Sequence, residues 1–309
     1  MTQTNQIKTP KLRFITISLS ALVMTLVFAY AIPGYAGVND GVDGLTEAQQ
    51  AFAARTLQFI DKMDAKYFAR AAEIDDDLAL TSKDFNYDYA LYEVKVGRGS
   101  NVEKIGRMTG IVFEPTDPIQ DPTVFGRYFG IDVHARNPRV GLLHAAFLVQ
   151  YYPDGKSAIG GTLNIVPGAA RKEDLAAIKA ALDEVFDKHG IDGTPLRRRV
   201  CEGTEMAVDK KYRRRLACVG ASFFGGPMMS VTEENFQFIT EAYDRFVDAY
   251  MTVLAKRTDA RYTEENIAAQ DAMRLNWFED QMLADPYAAS GITPYEVWSM
   301  SFTPPVVKF

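Results

Sequence analysis

Residues 125–167 read FGRYFGIDVHARNPRVGLLHAAFLVQYYPDGKSAIGGTLNIVP, and this stretch decides the fold. Its first two segments alternate apolar and polar side chains with a period of two, which is typical of half-buried strands. Asn137-Pro138 separates them, because proline lacks a backbone N–H and disfavours helix in the preceding residue. Pro153-Asp154-Gly155 turns the chain before the third segment, in which Gly160-Gly161 favours a bulge or a closely approaching ligand. The stretch therefore predicts three consecutive strands that form a meander.

Outside the meander, apolar residues recur at helical spacing in several segments. Helices are predicted from Thr46 to the acidic run at residues 73–77, from 175 to a stop at Gly190, from a capping box of Ser230 with Glu233 to 254, and at 263–282. Strands are predicted at residues 87–96 and 104–113, and the tail at 298–309 is predicted to end as a strand. We expect the acidic run to be a solvated helix end, because a metal site needs ligands that converge.

The N-terminus predicts export. Residues 1–36 carry three basic and no acidic residues, then an apolar run, and they end in Pro33-Gly34-Tyr35-Ala36. This order is typical of a signal peptide cleaved after Ala36, and an uncleaved membrane anchor is the alternative. We therefore expect a signal peptide at residues 1–36, a single domain at residues 37–309, and a periplasmic or secreted protein. Removing three basic residues from the net charge of −6 leaves −9, which argues against nucleic acid as a partner.

The two cysteines, Cys201 and Cys218, flank a basic segment. In an oxidising compartment they could pair and close a loop that stabilises the fold by about 3 kcal/mol. Alternatively, Cys218 is a small buried residue in the apolar run LACVGASFF. The sequence leaves both possibilities open.

Several blocks carry a resemblance to a known family. The run HARNPRV at residues 134–140, His144, and GGTLNIVP at residues 160–167 resemble the HPRNP, SHANVR and GGGxDLTP blocks of oxygen-dependent coproporphyrinogen III oxidases. GIVFEP, VGASFF, DAYMTVLAKR and MSFTPPVVKF continue the resemblance from residue 110 to residue 309. The resemblance implies an α+β fold, with a large, mainly antiparallel sheet flanked by helices on both faces. It also implies a homodimer with a cavity for a tetrapyrrole.

The chemistry implied by the resemblance is removal of two propionate carboxylates as CO2, with O2 as the oxidant. It implies no organic cofactor and leaves a role for a metal open. His144 matches the family's proton-donor histidine, so it is our candidate catalytic residue. The candidate substrate-binding residues are His134, Arg136, Asn137, Asn164 and Arg213. We expect a small-molecule tetrapyrrole or related ligand, and membrane contact only through an uncleaved signal anchor.

Several positions depart from the family pattern, among them Gly130, Ala177, Tyr212 and Ala217. Leu148 and Ile292 stand where the family has substrate arginines, and Asn164 stands where it has an aspartate. A charge-assisted hydrogen bond contributes roughly 1.5–3 kcal/mol, so these losses could weaken binding by several factors of ten. One hypothesis is therefore an oxidase with a less basic pocket. The others are an exported haem- or porphyrin-binding protein without catalysis, and an enzyme for a smaller, less anionic substrate.

The turn after Tyr152 tests this alignment. A two-residue loop at Asp154-Gly155 would place His144 opposite Ile165, whereas a three-residue loop with a bulge would place it opposite Asn164. We predict the second register, because the family's histidine and aspartate positions share a cavity.

Overall fold

A computed structural model describes residues 42–112, 122–201, 215–224, 228–284 and 293–309. In these ranges the strands form one seven-stranded antiparallel sheet, and their order in the sheet is their order in the chain. The strands are β1 Ala79–Asn86, β2 Ala90–Arg98, β3 Val102–Val112, β4 Phe125–Ala135, β5 Leu142–Tyr151, β6 Ser157–Val166 and β7 Ala221–Ser222. The predicted meander is confirmed as β4, β5 and β6.

Most helices begin and end where local sequence dictates, but the helix Glu233–Lys256 is capped by Thr232 and not by Ser230 as predicted. A short 3₁₀ turn, Val42–Gly44, precedes α1, and Thr46 caps α1 by accepting a hydrogen bond from the Gln49 amide. Gly190, with φ of 64°, ends α2 in the left-handed conformation that glycine adopts easily. The helices are α1 Glu47–Ile74, α2 Lys172–His189, α3 Thr194–Cys201, α4 Glu233–Lys256, α5 Glu264–Glu279 with a π-helical extension Asp280–Ala284, and α6 Tyr295–Phe302.

One face of the sheet packs on α1, α2 and α4, and this interface is the main core. Phe147 of β5 contacts Phe59 of α1 with ring centroids 4.9 Å apart. Tyr250 of α4 donates a hydrogen bond of 2.7 Å to the Gly141 carbonyl at the start of β5. The alternating apolar residues of the meander therefore face these helices, as the period of two requires.

The opposite face is covered in part by α5 and α6. Gly106 of β3 lies directly against α6, since a Cβ at this position would overlap the Ser301 carbonyl oxygen. Trp277 of α5 and Phe302 of α6 are fully buried against the same face. The expected α+β fold, with an antiparallel sheet and helices on both faces, is confirmed.

The structure corrects two expectations and adds a strand. The tail does not end as a strand: residues 295–302 are helical, because Trp298 and Phe302 pack on one side at i,i+4 spacing, and Pro304-Pro305 lack ladder donors. The acidic run is not fully solvated, since buried Asp75 accepts hydrogen bonds from the Asn101 and Val102 amides. Strand β1 was not predicted, because almost all its residues are exposed and its burial does not alternate.

The predicted register is confirmed, with His144 paired to Asn164 across β5 and β6. The backbone amide of Tyr152 donates to the Lys156 carbonyl at 2.9 Å around a three-residue loop in which Gly155 has φ of 83°. Pairing is continuous at Gly160-Gly161, and the Met228 and Phe224 side chains pack closely over Gly160.

Cys201 and Cys218 form a disulfide, with Cα atoms 4.8 Å apart. All residues that the structure describes belong to one compact unit. No helix within the described ranges has the length and apolar character that crossing a membrane requires.

Candidate functional site

Four strands bring one residue each to a single row across the sheet. Gly106, Asp132, His144 and Asn164 are successive pairing partners on β3, β4, β5 and β6. Because partners in antiparallel strands point to the same face, the Asp132, His144 and Asn164 side chains lie side by side. This face is the one covered by α5 and α6.

Asp132 makes the hydrogen bonds that orient its neighbour His144 in this row. Its carboxylate is completely buried, with Oδ1 2.6 Å from His144 Nδ1, and Oδ2 accepts a hydrogen bond of 3.1 Å from Trp277 Nε1. Burial raises the pKa of Asp132, while the hydrogen bonds from His144 and Trp277 and the charge of Lys104 act in the opposite direction. The carboxylate therefore fixes the imidazole of His144 in one orientation.

His144 remains accessible at one edge. Its ring packs against Trp277 and Phe302, with centroids 5.2 and 5.7 Å away, and 9% of the residue is exposed. Since Asp132 holds Nδ1, Nε2 is the nitrogen free to exchange a proton with a bound molecule. A histidine oriented by a buried carboxylate is a chemically competent general acid or base.

Asn164 offers one open acceptor beside His144. Its Nδ2 donates a hydrogen bond of 2.9 Å to Thr162 Oγ1. Its Oδ1 is buried and has no hydrogen-bond partner among the described residues. A buried acceptor without a hydrogen bond lowers the stability of the fold. A ligand N–H that donates to this oxygen would therefore bind favourably.

His134 lies on the same face but outside the row. It pairs with Lys104 across β3 and β4, and its ring is buried with neither nitrogen in good hydrogen-bond geometry to any described residue. Burial, reinforced by the charges of Lys104 and Arg274, holds the pKa of His134 well below its usual value, although the Phe302 backbone raises it somewhat. His134 is thus a neutral, buried neighbour of the Asp132 and His144 pair.

Arg136 and Asn137 lie in the turn after β4, away from the His144 row. Arg136 Nε donates to the Ser100 carbonyl at 2.6 Å, and its side chain is 57% exposed. Asn137 Nδ2 donates to the Arg257 and Ala260 carbonyls, which ties the turn to the end of α4. The structure therefore brings together His144 and Asn164, with His134 nearby on the same face. Arg213 and Ile292 lie outside the described residues.

Further along β5, the same face of the sheet is apolar around Leu148. Leu148, four residues from His144 on β5, is half-buried and pairs with Tyr128 and Gly160. No group of three or more His, Cys, Asp or Glu side chains that could hold a metal ion occurs in the described part of the chain. An apolar side chain therefore occupies the position at which the family pattern has an arginine.

Asp132 as a partner of His144, and Lys104 beside it, were not predicted from the sequence. Asp132 is a polar residue in the alternating pattern of β4, on the same face as His134, which was the available indication. Trp277 lies in the predicted helix at 263–282, and its role as a donor to Asp132 depends on where α5 packs.

Comparisons with known proteins found a matching family model and related proteins. A family model described as coproporphyrinogen III oxidase matches residues 119–302. The chain is 26% identical over 159 residues to the mouse mitochondrial oxygen-dependent coproporphyrinogen-III oxidase, covering 50% of this chain and 35% of that relative. It is 24% identical over 224 residues to the Rickettsia rickettsii (strain Sheila Smith) oxygen-dependent coproporphyrinogen-III oxidase, covering 69% of this chain and 78% of that one.

Among solved structures, the chain is similar to tomato phytochromobilin synthase in complex with biliverdin, with a TM-score of 0.48 and 9% identity. That match covers 78% of this chain and 83% of the other. The family model spans more than half of the sequence and includes Asp132, His144 and Asn164. The chain therefore belongs to the coproporphyrinogen III oxidase family.

Proposed function

We propose that this protein catalyses O2-dependent oxidative decarboxylation of a porphyrinogen, or of a related molecule with fewer carboxylates. The single observation that carries the proposal is the 2.6 Å contact between buried Asp132 and His144, which presents an oriented imidazole to the partly open sheet face. Membership of the family supplies the class of reaction.

The reaction balances as a two-electron oxidation. A propionate side chain loses CO2 and the equivalent of a hydride, and it becomes a vinyl group. Dioxygen takes up the two electrons and two protons and becomes hydrogen peroxide. The sum is propionate, O2 and one proton giving vinyl, CO2 and H2O2.

The residues have separate roles in this proposal. His144 Nε2 exchanges a proton with the reacting side of the substrate, while Asp132 orients the ring. Asn164 Oδ1 accepts one pyrrole N–H, which a neutral amide does without the charge of a carboxylate. Leu148 contacts an apolar part of the ligand, so the preferred substrate carries fewer carboxylates than coproporphyrinogen.

The test is an anaerobic supply of coproporphyrinogen and of porphyrinogens with fewer carboxylates, followed by addition of O2. We expect CO2, a vinyl product and peroxide from the native protein, and at least a 100-fold lower rate from His144→Ala. His189→Ala is the matched control, because His189 lies at the end of α2 and pairs with Glu241. Equal rates from the native protein and His144→Ala would refute the proposal.

A second candidate function is tetrapyrrole binding without catalysis. The apolar Leu148 and the neutral Asn164 favour it, since a haem or porphyrin face binds apolar side chains well. Titration with haem and porphyrins, followed by absorbance, measures this binding directly. Affinities weaker than about 1 mM for all of these ligands would contradict it.

We also propose that the protein acts outside the cytoplasm after export through residues 1–36. The disulfide between Cys201 and Cys218 supports this proposal, because disulfides persist in oxidising compartments. Cell fractionation combined with thiol labelling tests it. Recovery of the protein in the cytoplasm with both cysteines free would contradict it.

A further inference from the structure

Lys104 is buried beside the candidate site. The residue is 1% exposed, and its Nζ donates a hydrogen bond of 2.6 Å to the Thr303 carbonyl just after α6. Its side chain runs over Gly106, since a Cβ on that glycine would lie 3.3 Å from Lys104 Cε. Gly106 is the pairing partner of Asp132, so the lysine stem reaches the position next to Asp132 in the row. Fully buried lysines are rare unless they are paired with another group.

The groups that face Lys104 form a small electrostatic cluster. Asp132 is the buried anion that attracts it, and burial lowers the pKa of Lys104 to about 7 despite this attraction. The other charged or titratable groups near the lysine and the pair are Arg98 on β2, His134 on β4, His144 on β5, and Arg274 on α5, which pairs with Glu103. The Tyr243 and Tyr250 hydroxyls of α4 lie on the other face of the sheet. Among these groups, Asp132 is the carboxyl group whose charge acts on Lys104.

We infer that Lys104 is a positioning residue whose charge sets the pH at which the Asp132 and His144 pair takes up a proton. A cation next to the pair disfavours an added proton, whichever of the two residues receives it. The catalytic consequence of this inference rests on the proposed function, in which His144 transfers a proton. The effect of the Lys104 charge on proton uptake by the pair is expected in the protein without ligand as well.

A purely structural role would give a different result. In that case the ammonium would only anchor Thr303 and the end of α6 through its hydrogen bond. Lys104→Met removes both the charge and the donor, whereas Lys104→Gln removes the charge and retains a donor. An effect shared by both variants is therefore due to the charge.

The experiment is an NMR titration of the histidine ring signals in the full chain, without ligand. The sequence has three histidines, so three sets of signals report on the whole protein. We expect the midpoint of the Asp132 and His144 pair to move to higher pH by about one unit, a tenfold gain in proton affinity, in both Lys104 variants. Lys95→Met is the matched control, because Lys95 pairs with Asp64 on the opposite face of the sheet.

Three outcomes would overturn the inference. The first is a midpoint within about 0.2 of a pH unit of the native value in both variants. The second is a shift in Lys104→Met that is absent in Lys104→Gln, which would assign the effect to the anchoring bond. The third outcome is measured on the native protein. There, the His144 signals should show an inflection at the pH where the Lys104 ε-methylene titrates. If that inflection is absent, Lys104 and His144 are not electrostatically coupled.

The pH profile of turnover separates this inference from the proposed function. If the protein turns over a substrate, the profile should move with the NMR midpoint in the Lys104 variants. If the NMR midpoint moves and no porphyrinogen is converted, the proposed function fails while the electrostatic role of Lys104 stands.

Discussion

Asp132 Oδ1 and His144 Nδ1 lie 2.6 Å apart because β4 and β5 pair in the register that places these two residues opposite each other. The same register puts Asn164 on the other side of His144. The carboxylate is completely buried, so its interaction with the imidazole is not weakened by solvent. The orientation of the candidate catalytic residue is therefore a property of the sheet itself.

Replacing this carboxylate should reduce catalysis without removing the histidine. In Asp132→Asn, the amide keeps the shape but loses the charge that stabilises an imidazolium, so we expect turnover to fall roughly 10- to 100-fold. Rates under substrate saturation measure the effect. Asp271→Asn, which removes a surface partner of Lys308, should leave the rate unchanged. A native rate in Asp132→Asn would contradict the role given to the pair.

Leu148, the apolar residue on β5, should determine how tightly the protein binds ligands that carry carboxylates. We expect Leu148→Arg to bind coproporphyrin about tenfold more tightly, because one charge-assisted hydrogen bond contributes roughly 1.5–3 kcal/mol. Absorbance titration measures this affinity, and the esterified, uncharged porphyrin should gain nothing. Leu80→Arg, on exposed β1, is the control for added positive charge. An equal gain in that control would show that the effect is nonspecific.

Lys104 should make stability depend on pH above neutrality. Its pKa is lowered from 10.5 to about 7 by burial, so between these values the unfolded chain binds a proton that the folded chain lacks. The free energy of unfolding should therefore rise with pH in this interval, by up to about 1.4 kcal/mol per pH unit from this residue. Urea unfolding at several pH values measures the slope.

The difference between native and variant proteins isolates the lysine from other titrating groups. In Lys104→Met, the free energy of unfolding should rise less steeply with pH, because the lysine contribution is gone. In Lys95→Met, the slope should equal that of the native protein. Identical slopes in the native protein and Lys104→Met would mean that Lys104 stays protonated in the fold.

The contact between β3 and α6 should tolerate no side chain at Gly106. A methyl group there would overlap the Ser301 carbonyl, which is backbone and cannot rotate away. We expect Gly106→Ala to lower the free energy of unfolding by about 3 kcal/mol and to disturb the packing of Phe302 on His144. Gly126→Ala is the control, because its nearest neighbour is the Thr123 hydroxyl at 3.1 Å. Equal melting temperatures for the two variants would contradict the close approach.

The sequence by itself determined the meander and the ends of several helices. Alternation with a period of two marked β4 and β5. The loop at Pro153-Asp154-Gly155 allowed two registers, and the resemblance to the family favoured the one that places His144 opposite Asn164, which the structure confirms. The capping residues Thr46 and Gly190 marked helix ends that the structure confirms. These features are local, since each depends on backbone preferences and spacing within a few residues of the chain.

Only the tertiary structure decided which distant side chains meet. Trp277 reaches Asp132, and Lys104 reaches Thr303, because α5 and α6 pack on the same face of the sheet. The tail became a helix because Trp298 and Phe302 gain more from burial against β2, β3 and β4 than from extension. Such contacts depend on the total area buried by the fold. No pattern of spacing along the chain records that quantity, so the site around His144 was visible in the sequence only in part.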